Sequence, residues 1–444
     1  MKDLTQGSIS KHVIQMALPI AIGMLVQTIY FLVDLYFVGK LGKEALAGVN
    51  AAGNIAFLVM GLSQILGVGT VALISQAVGR KDRAQANQVF NQSILIAAMV
   101  GLMVLIGGYL WVDDYLETIS SDAETIRHGI SYLYGFIPNL ALQFALVAMA
   151  SALRGTGIVK PTMIVQLLSV VINIILAPIL IAGWFTGMPM GVAGAGLASS
   201  IAILVAVIVM WNYFHRLERY VSVKKALLKP DYSIVKRLLA IGFPAGGEFL
   251  LMFFFMAIIY ALIQNFGATA QAGFGLGSRI MQAIFVPALA LAFALPAVIG
   301  QNFGGKQYQR VKQAFYRTLL MVSLLMAILT WFAVTQGEWI IGFFTQDKEV
   351  LATAYQFLKI IAFNFIPSGI IFSCSGALQG LGNTWPAFYS MASRLFLFVI
   401  PAFWLAQQAG YQIEQIWILS VATVLIQSMI SLILVRREFK IKLL

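Results

Sequence analysis

The feature that most constrains this chain is a duplication. The stretch from Leu73 to Ile94, LISQAVGRKDRAQANQVFNQSI, returns as VIGQNFGGKQYQRVKQAFYRTL from Val298 to Leu319. Aligned, Ile74, Gln76, Gly79, Lys81, Gln88 and Phe90 meet Ile299, Gln301, Gly304, Lys306, Gln313 and Phe315, an offset of 225 (301 − 76). The same offset carries Pro19 onto Pro244, and Gly42, Ala45, Ala47 and Gly48 onto Gly267, Ala270, Ala272 and Gly273. It also carries Ala152, Leu153, Gly155, Gly157 and Pro161 onto Ala377, Leu378, Gly380, Gly382 and Pro386. One such match is within chance, but several at one offset along nearly the whole chain specify two copies of one unit. Whatever the first half folds into, the second must fold into as well.

That unit is a membrane unit. Of the 444 residues 60% are apolar and only 10% charged, whereas a soluble domain carries roughly a quarter charged residues. A crossing needs about 20 apolar residues. That rule gives twelve spans, roughly 13–38, 47–75, 88–111, 130–153, 159–183, 191–214, 234–265, 272–300, 314–335, 353–377, 385–407 and 413–435. Lipid offers the backbone no partners, so all must be helices and the fold class is all-α. Six spans per copy return the chain to its starting side. The two six-helix bundles therefore share one orientation and relate by a pseudo-two-fold axis along the membrane normal. The expected organisation is an N-terminal lobe at 1–214, an inter-lobe linker at 215–236 and a C-terminal lobe at 237–444.

The formal net charge of +12 invites a nucleic-acid reading, but no basic domain stands apart. With both termini inside, the inner segments hold 22 of the 29 Lys and Arg residues, including Arg216, Arg219, Lys224, Lys225 and Lys229 of the linker. The outer loop near 113–124 is acidic instead, with Asp113, Asp114, Glu117, Asp122 and Glu124. This is the positive-inside pattern, and it places both termini in the cytoplasm of a multi-pass inner (plasma) membrane protein. Residues 1–12 are polar and the apolar run after them continues to Val38, too long for a signal core. The single cysteine, Cys374, excludes disulfides and cysteine metal sites. Motifs of zinc proteases, serine hydrolases and P-loop ATPases are absent, so neither an enzyme nor an ATP-driven pump is indicated.

Charge inside a bilayer is expensive, so each buried ionisable group is a candidate site. Four lie deep in the spans: Asp34, Glu248, Arg279 and Arg394. Asp34 in span one shares a helix face with Tyr30 at i−4 and Gln27 at i−7. On that face it can exchange a proton or bind a cation, with Gln27 as polar lining; alternatively it is an interfacial carboxylate solvated by headgroups. Glu248 follows Pro244 by one turn in span seven, behind Gly246 and Gly247. It either lines a cavity or is satisfied locally by backbone donors or an arginine. Arg394 and Arg279 can pair with carboxylates or carbonyls, a possible second-lobe cation or substrate site with Glu248. Asn173, midway along span five, is a hydrogen-bonding partner for a carboxylate on a facing helix. The 31 Phe and 18 Met residues would suit a cavity for flat lipophilic molecules. The GRKDR loop superficially resembles a motif of the major facilitator superfamily. That motif wants an aspartate ahead of its glycine, where this chain has Gln76, Ala77 and Val78.

Taken together, these residues resemble the multidrug and toxic compound extrusion (MATE) family over essentially the full length. The resemblance rests on the prolines opening spans one and seven and on VDLYFVGKLGKEALAGVN. It rests also on the paired Gln-x-x-Gly-x-Lys turns and the paired Gly-x-Gly…Pro turns at Gly155 and Gly380. It implies a V-shaped central cavity between two bundles, no cofactor, and export of small organic cations and drugs in exchange for protons or sodium ions. Residue by residue, Asp34 and Tyr30 match the family's first-span pair, Asn173 its fifth-span asparagine and Ser199 its sixth-span hydroxyl. At Ala177 many proton-coupled members have an aspartate, so Asp34 would act alone. Glu248 lies nearer its proline than the glutamate of sodium-coupled members, and span ten has no acid. The pattern therefore favours H+ over Na+, with Na+ still open at Asp34 or Glu248. A monomer among membrane lipids, with no nucleic acid, completes the expectation. The alternatives are a lipid-linked oligosaccharide flippase, which would need more cavity cations than Arg279 and Arg394, and a non-transporting receptor or scaffold.

Overall fold

Inside hydrocarbon the backbone finds no hydrogen-bond partner but itself, so long apolar runs become helices. A computed structural model of the chain describes residues 1–218, 220–408 and 410–443, the side chains at 31 and 32 excepted. Arg219 of the linker lies outside them. Among the described residues the chain is helical without strands, and twelve stretches are long and apolar enough to cross a membrane. The first half comprises α1 (Ile9–Gly39), α2 (Lys43–Gly79), α3 (Arg83–Ile119), α4 (Ala123–Gly155), α5 (Lys160–Ala182) and α6 (Val192–Arg216). The second half comprises α7 (Tyr232–Ile263), α8 (Ala268–Gly304), α9 (Tyr308–Gly342), α10 (Lys348–Ile361), α11 (Phe365–Gly380), α12 (Trp385–Ala406) and α13 (Ile413–Lys442). α10 and α11 make one crossing, broken at a 3-10 turn over Ala362–Asn364 where Pro367 removes a backbone donor.

The helices run longer than their apolar cores because polar residues cap them. Asp82 accepts from the Gln85 amide to open α3, Asp122 from Thr125 to open α4, and Asp347 from Glu349 and Val350 to open α10. The Thr125 hydrogen bonds of Asp122 also hold that carboxyl below its ordinary range. Two helices are buried on every side over a long stretch: α2 from Leu66 to Val78, and α8 from Ala294 to Asn302. A helix apolar all round belongs in a core. The repeated stretches begin inside these runs, at Leu73 and at Val298.

Contacts divide the chain into two units, Met1–Asp3 with Ile22–Gly242, and Leu4–Ala21 with Phe243–Leu444. The boundary read from the sequence fell at 214–237, and it allowed no exchange of helix segments. The difference has a steric source. A Cβ at Gly242 would collide with the carbonyl of Ile65, and one at Gly69 with that of Leu238, so the first turns of α7 lie directly on α2. Small residues are what let two backbones approach so closely. The start of α1 goes the other way. Leu4, Ile9, Val13 and Met16 are at most 1% exposed. The Leu4 amide donates to Gln301 Oε1 at 2.9 Å, and its carbonyl accepts from Asn302 at 3.1 Å.

The linker lies along α3. Asn87 donates to the Tyr220 carbonyl at 3.0 Å and accepts from the Ser222 amide at 2.9 Å. Asn91, one turn on, does the same to the Ser222 carbonyl (2.9 Å) and the Lys224 amide (2.8 Å). Gln92 continues with the carbonyls of Leu227 and Lys229 and the amide of Asp231. Asn87 and Asn91 thus pair with an extended peptide as a neighbouring strand would, and Gln92 holds the 3-10 turn Lys225–Leu228 and the residues after it.

Four helices end at the basic loops in one turn type, in which an amide reaches back five residues. The bonds run from Asp82 to Ala77 (2.9 Å), Ile158 to Leu153 (2.9 Å), Gln307 to Asn302 (2.8 Å) and Asn383 to Leu378 (3.0 Å). Each needs a left-handed residue: Gly157 and Gly382 in one pair, but Lys81 (φ 60°) and Lys306 (φ 58°) in the other. Both repeated motifs are therefore helix stops, and the lysine pair holds a conformation that costs a side chain roughly 1–2 kcal/mol. Lys81→Gly and Lys306→Gly should each raise the thermal unfolding temperature of the detergent-purified protein, and Gly382→Ala should lower it; the expected shifts correspond to about 1 kcal/mol per site.

Candidate functional site

In the first unit α1, α5 and α6 bring together the residues expected to meet. Tyr30 lies one turn before Asp34 on α1. Its hydroxyl is 2.6 Å from Ser199 Oγ on α6. Ser199 donates to the Ala195 carbonyl at 3.1 Å, and a hydroxyl has a single proton to give. Tyr30 in turn is placed to donate to the Asp34 carboxyl. Asn173 on α5 donates to the same Ser199 oxygen at 3.5 Å. Tyr30, Ser199 and Asn173 all face the Asp34 carboxyl.

Donors run short in this arrangement. Asp34 Oδ1 and Asn173 Oδ1 are both buried without a hydrogen-bond partner. Asn173 is fully buried, Ser199 is 2% exposed, and Ala177, one turn from Asn173, puts a buried methyl where a second acid would sit. Two buried acceptor oxygens with no donor and no cationic side chain leave a place for one positive charge, carried by a proton or a small cation. Gln27, on the same face of α1, is exposed and takes no part in the set.

One neighbour was missed from the sequence. Tyr132 on α4, 7% exposed, lies in the electrostatic range of both Tyr30 and Asp34 and stacks on Phe136 at 4.9 Å. It reaches the cluster because α4 and α6 cross almost in contact. A Cβ at Gly196 would collide with the Tyr132 carbonyl, and one at Gly135 would meet the Ala193 carbonyl at 2.7 Å. Pro138 then leaves the Tyr134 carbonyl unclaimed by its own helix, and Tyr109 donates to it at 3.0 Å. The sequence signal was a tyrosine three residues before a glycine in a proline-bearing span, which says nothing of the helix it faces.

The second unit treats its charges separately. Glu248 is half-buried and accepts from Ser375 at 3.0 Å, and Gln379 donates to Ser375 at 3.3 Å. Arg394 lies with its guanidinium 4.1 Å from the centre of the Phe255 ring, its buried Nε without an acceptor. Arg279 is exposed. Among the described residues no ion pair joins these three; ion pairs elsewhere include Arg127 and His128 with Glu124, and Lys442 with Glu438. No group of His, Cys, Asp and Glu suited to a metal occurs among them either.

Comparison with known proteins bears on this arrangement. A family model described as MatE matches residues 19–179 and 244–405, the two segments starting 225 residues apart (244 − 19). The probable multidrug resistance protein YoeA of Bacillus subtilis is 24% identical over 405 residues, covering 90% of this chain and 88% of that protein. The multidrug export protein MepA of Staphylococcus aureus is 27% identical over 382 residues, covering 85% and 83%. Among solved structures, the outward-facing conformation of a multidrug resistance MATE family transporter of the MOP superfamily superposes with TM-score 0.92 at 22% identity, over 99% of this chain and 98% of that one.

The α4–α6 crossing yields a direct check. Gly196→Val should separate these helices and lower stability by about 1–3 kcal/mol, the usual cost of overpacking. Gly53→Ala in α2, where an added Cβ meets nothing, should leave the melting temperature level or slightly higher. Thermal unfolding of the two purified variants compares them.

Proposed function

The chain belongs to the MatE family, and we propose that within it this protein is a secondary antiporter exporting cationic lipophilic compounds, coupled to H+ or Na+ through Asp34. The observation that carries the reading is the unpartnered Asp34 oxygen beside the unpartnered Asn173 oxygen. Such a pair is stable when one positive charge is shared between them. Multidrug resistance and export, in the names of YoeA and MepA, support the substrate class.

The mechanism is competition. Ionised Asp34 favours a cationic substrate in the first unit, and a proton or sodium ion arriving from outside cancels that charge and releases it. Tyr30 and Asn173 fix the carboxyl on α1 against α5 and α6, so charge at Asp34 is felt by three helices at once. Pro19 lets α1 respond by bending, since its ring removes a backbone donor. The basic loops face the cytoplasm, where anionic lipid attracts them. No cofactor takes part; the ion gradient supplies the energy and access alternates between the sides.

Proton linkage has a definite sign. Protonating Asp34 removes the charge that attracts the substrate, so affinity falls as pH falls. Coupling of ordinary strength changes affinity about 5- to 100-fold across that titration. In purified protein, fluorescent-cation binding should show this dependence, and Asp34→Asn should be flat. Dye efflux in inverted vesicles should be lost in Asp34→Asn, and efflux at the wild-type rate would remove Asp34 from the mechanism. Driving the vesicles with a proton gradient alone and then a sodium gradient alone identifies the coupling ion.

A further inference from the structure

The second unit holds a row of polar side chains that the chemistry at Asp34 does not use. On α13, Ser420, Thr423, Gln427 and Ser431 follow at intervals of three and four, so they form one stripe of an otherwise apolar helix. All four are at most 4% exposed. Neighbouring elements extend the stripe at both ends. Asn364, in the break between α10 and α11, donates to Ser420 Oγ at 3.3 Å. Ser390 on α12 is 2.6 Å from Ser431 Oγ and reaches the Gln427 carbonyl at 3.5 Å. Ser431 and Ser375 line one crevice with Glu248.

Packing alone does not account for the row. A helix contact built on polar groups requires that each be paired, as Ser390 and Ser431 are. Asn364 Oδ1 and Gln427 Oε1 are buried in the same stripe without a donor, which a purely structural contact would avoid. The positions left open are acceptors, spaced along a line that leads to a carboxyl. Ser420 to Ser431 is eleven residues, about 16 Å along a helix and near half the hydrocarbon thickness.

We propose that this row is a proton route through the second unit, running from Asn364 to Glu248. Each hydroxyl accepts a proton on its oxygen while passing its own to the next group, so the row ends each transfer chemically unchanged. The amides do not relay; they hold, on their open oxygens, the waters that bridge the hydroxyls. Glu248 receives the proton and becomes a neutral acid, and Ser375 donates to it when it is ionised. Of the other titratable groups, Cys374 lines the crevice. Arg394 of α12 is stacked on Phe255, and Arg279 of α8 and Lys11 of α1 are exposed. This route is separate from Asp34 and stands whether or not Asp34 couples transport.

The test uses full-length protein in liposomes with pH set independently on the two sides. A membrane-permeant carbodiimide modifies protonated carboxyls in apolar surroundings, and mass spectrometry reads its adduct on Glu248. Labelling should follow the pH on the side of the α12–α13 loop and should lose that dependence in Gln427→Leu. Ser428→Ala, a buried serine that bonds the Leu425 carbonyl of its own turn, should label as wild type. Labelling that follows the pH at the basic loops overturns the proposal. So does labelling that Gln427→Leu leaves unaltered, or that Ser428→Ala alters as much as Gln427→Leu does.

Discussion

A hydrocarbon interior supplies no hydrogen bonds, and most of this structure is the consequence of that one shortage. Within the helices every backbone group must find its partner along the chain. At the helix ends the shortage returns, because the last carbonyls have no intrahelical donor. Here they are closed by a five-residue return bond, repeated in both copies at Lys81 and Lys306 and at Gly157 and Gly382. Even the linker obeys it, its peptide groups paired one after another by Asn87, Asn91 and Gln92. A chain that satisfies its polar atoms so thoroughly makes the exceptions informative. Among them are the oxygens of Asp34 and Asn173 in one unit and those of Asn364 and Gln427 in the other.

The sequence disclosed local geometry well and tertiary register poorly. Twelve spans, the duplication and the face shared by Tyr30 and Asp34 depend on spacing within one helix, and spacing is printed in the chain. Asn173 stood out as an amide midway along an apolar span and Ser199 came through family resemblance, but no periodicity connects span one to spans five and six. Tyr132 was invisible for the same reason, since its place depends on Gly135 and Gly196 letting two backbones touch. Asn87, Asn91 and Gln92 bind the linker, and nothing in their spacing along the chain points to that partner. The boundary between units was misplaced because the change of packing partner happens inside continuous helices, near Pro19 and Pro244, where the sequence shows no break.

The duplication also explains why the two acids are not copies of each other. Adding 225 to Asp34 gives Ile259, which is 5% exposed and packed in the core of its unit. Subtracting 225 from Glu248 gives Gly23, where an added Cβ would collide with the side-chain oxygen of Gln166. An acid at Ile259 would replace a buried core side chain, and one at Gly23 would have to displace the end of the Gln166 side chain. Counted in the shared register, Glu248 lies eleven residues before the Asp34 equivalent (259 − 248), nearer the basic end of its helix. Each copy therefore carries one acid of its own, at a position of the shared register where the other copy has none. The repeat holds the helices in place, and the chemistry is at the positions where the copies had to differ.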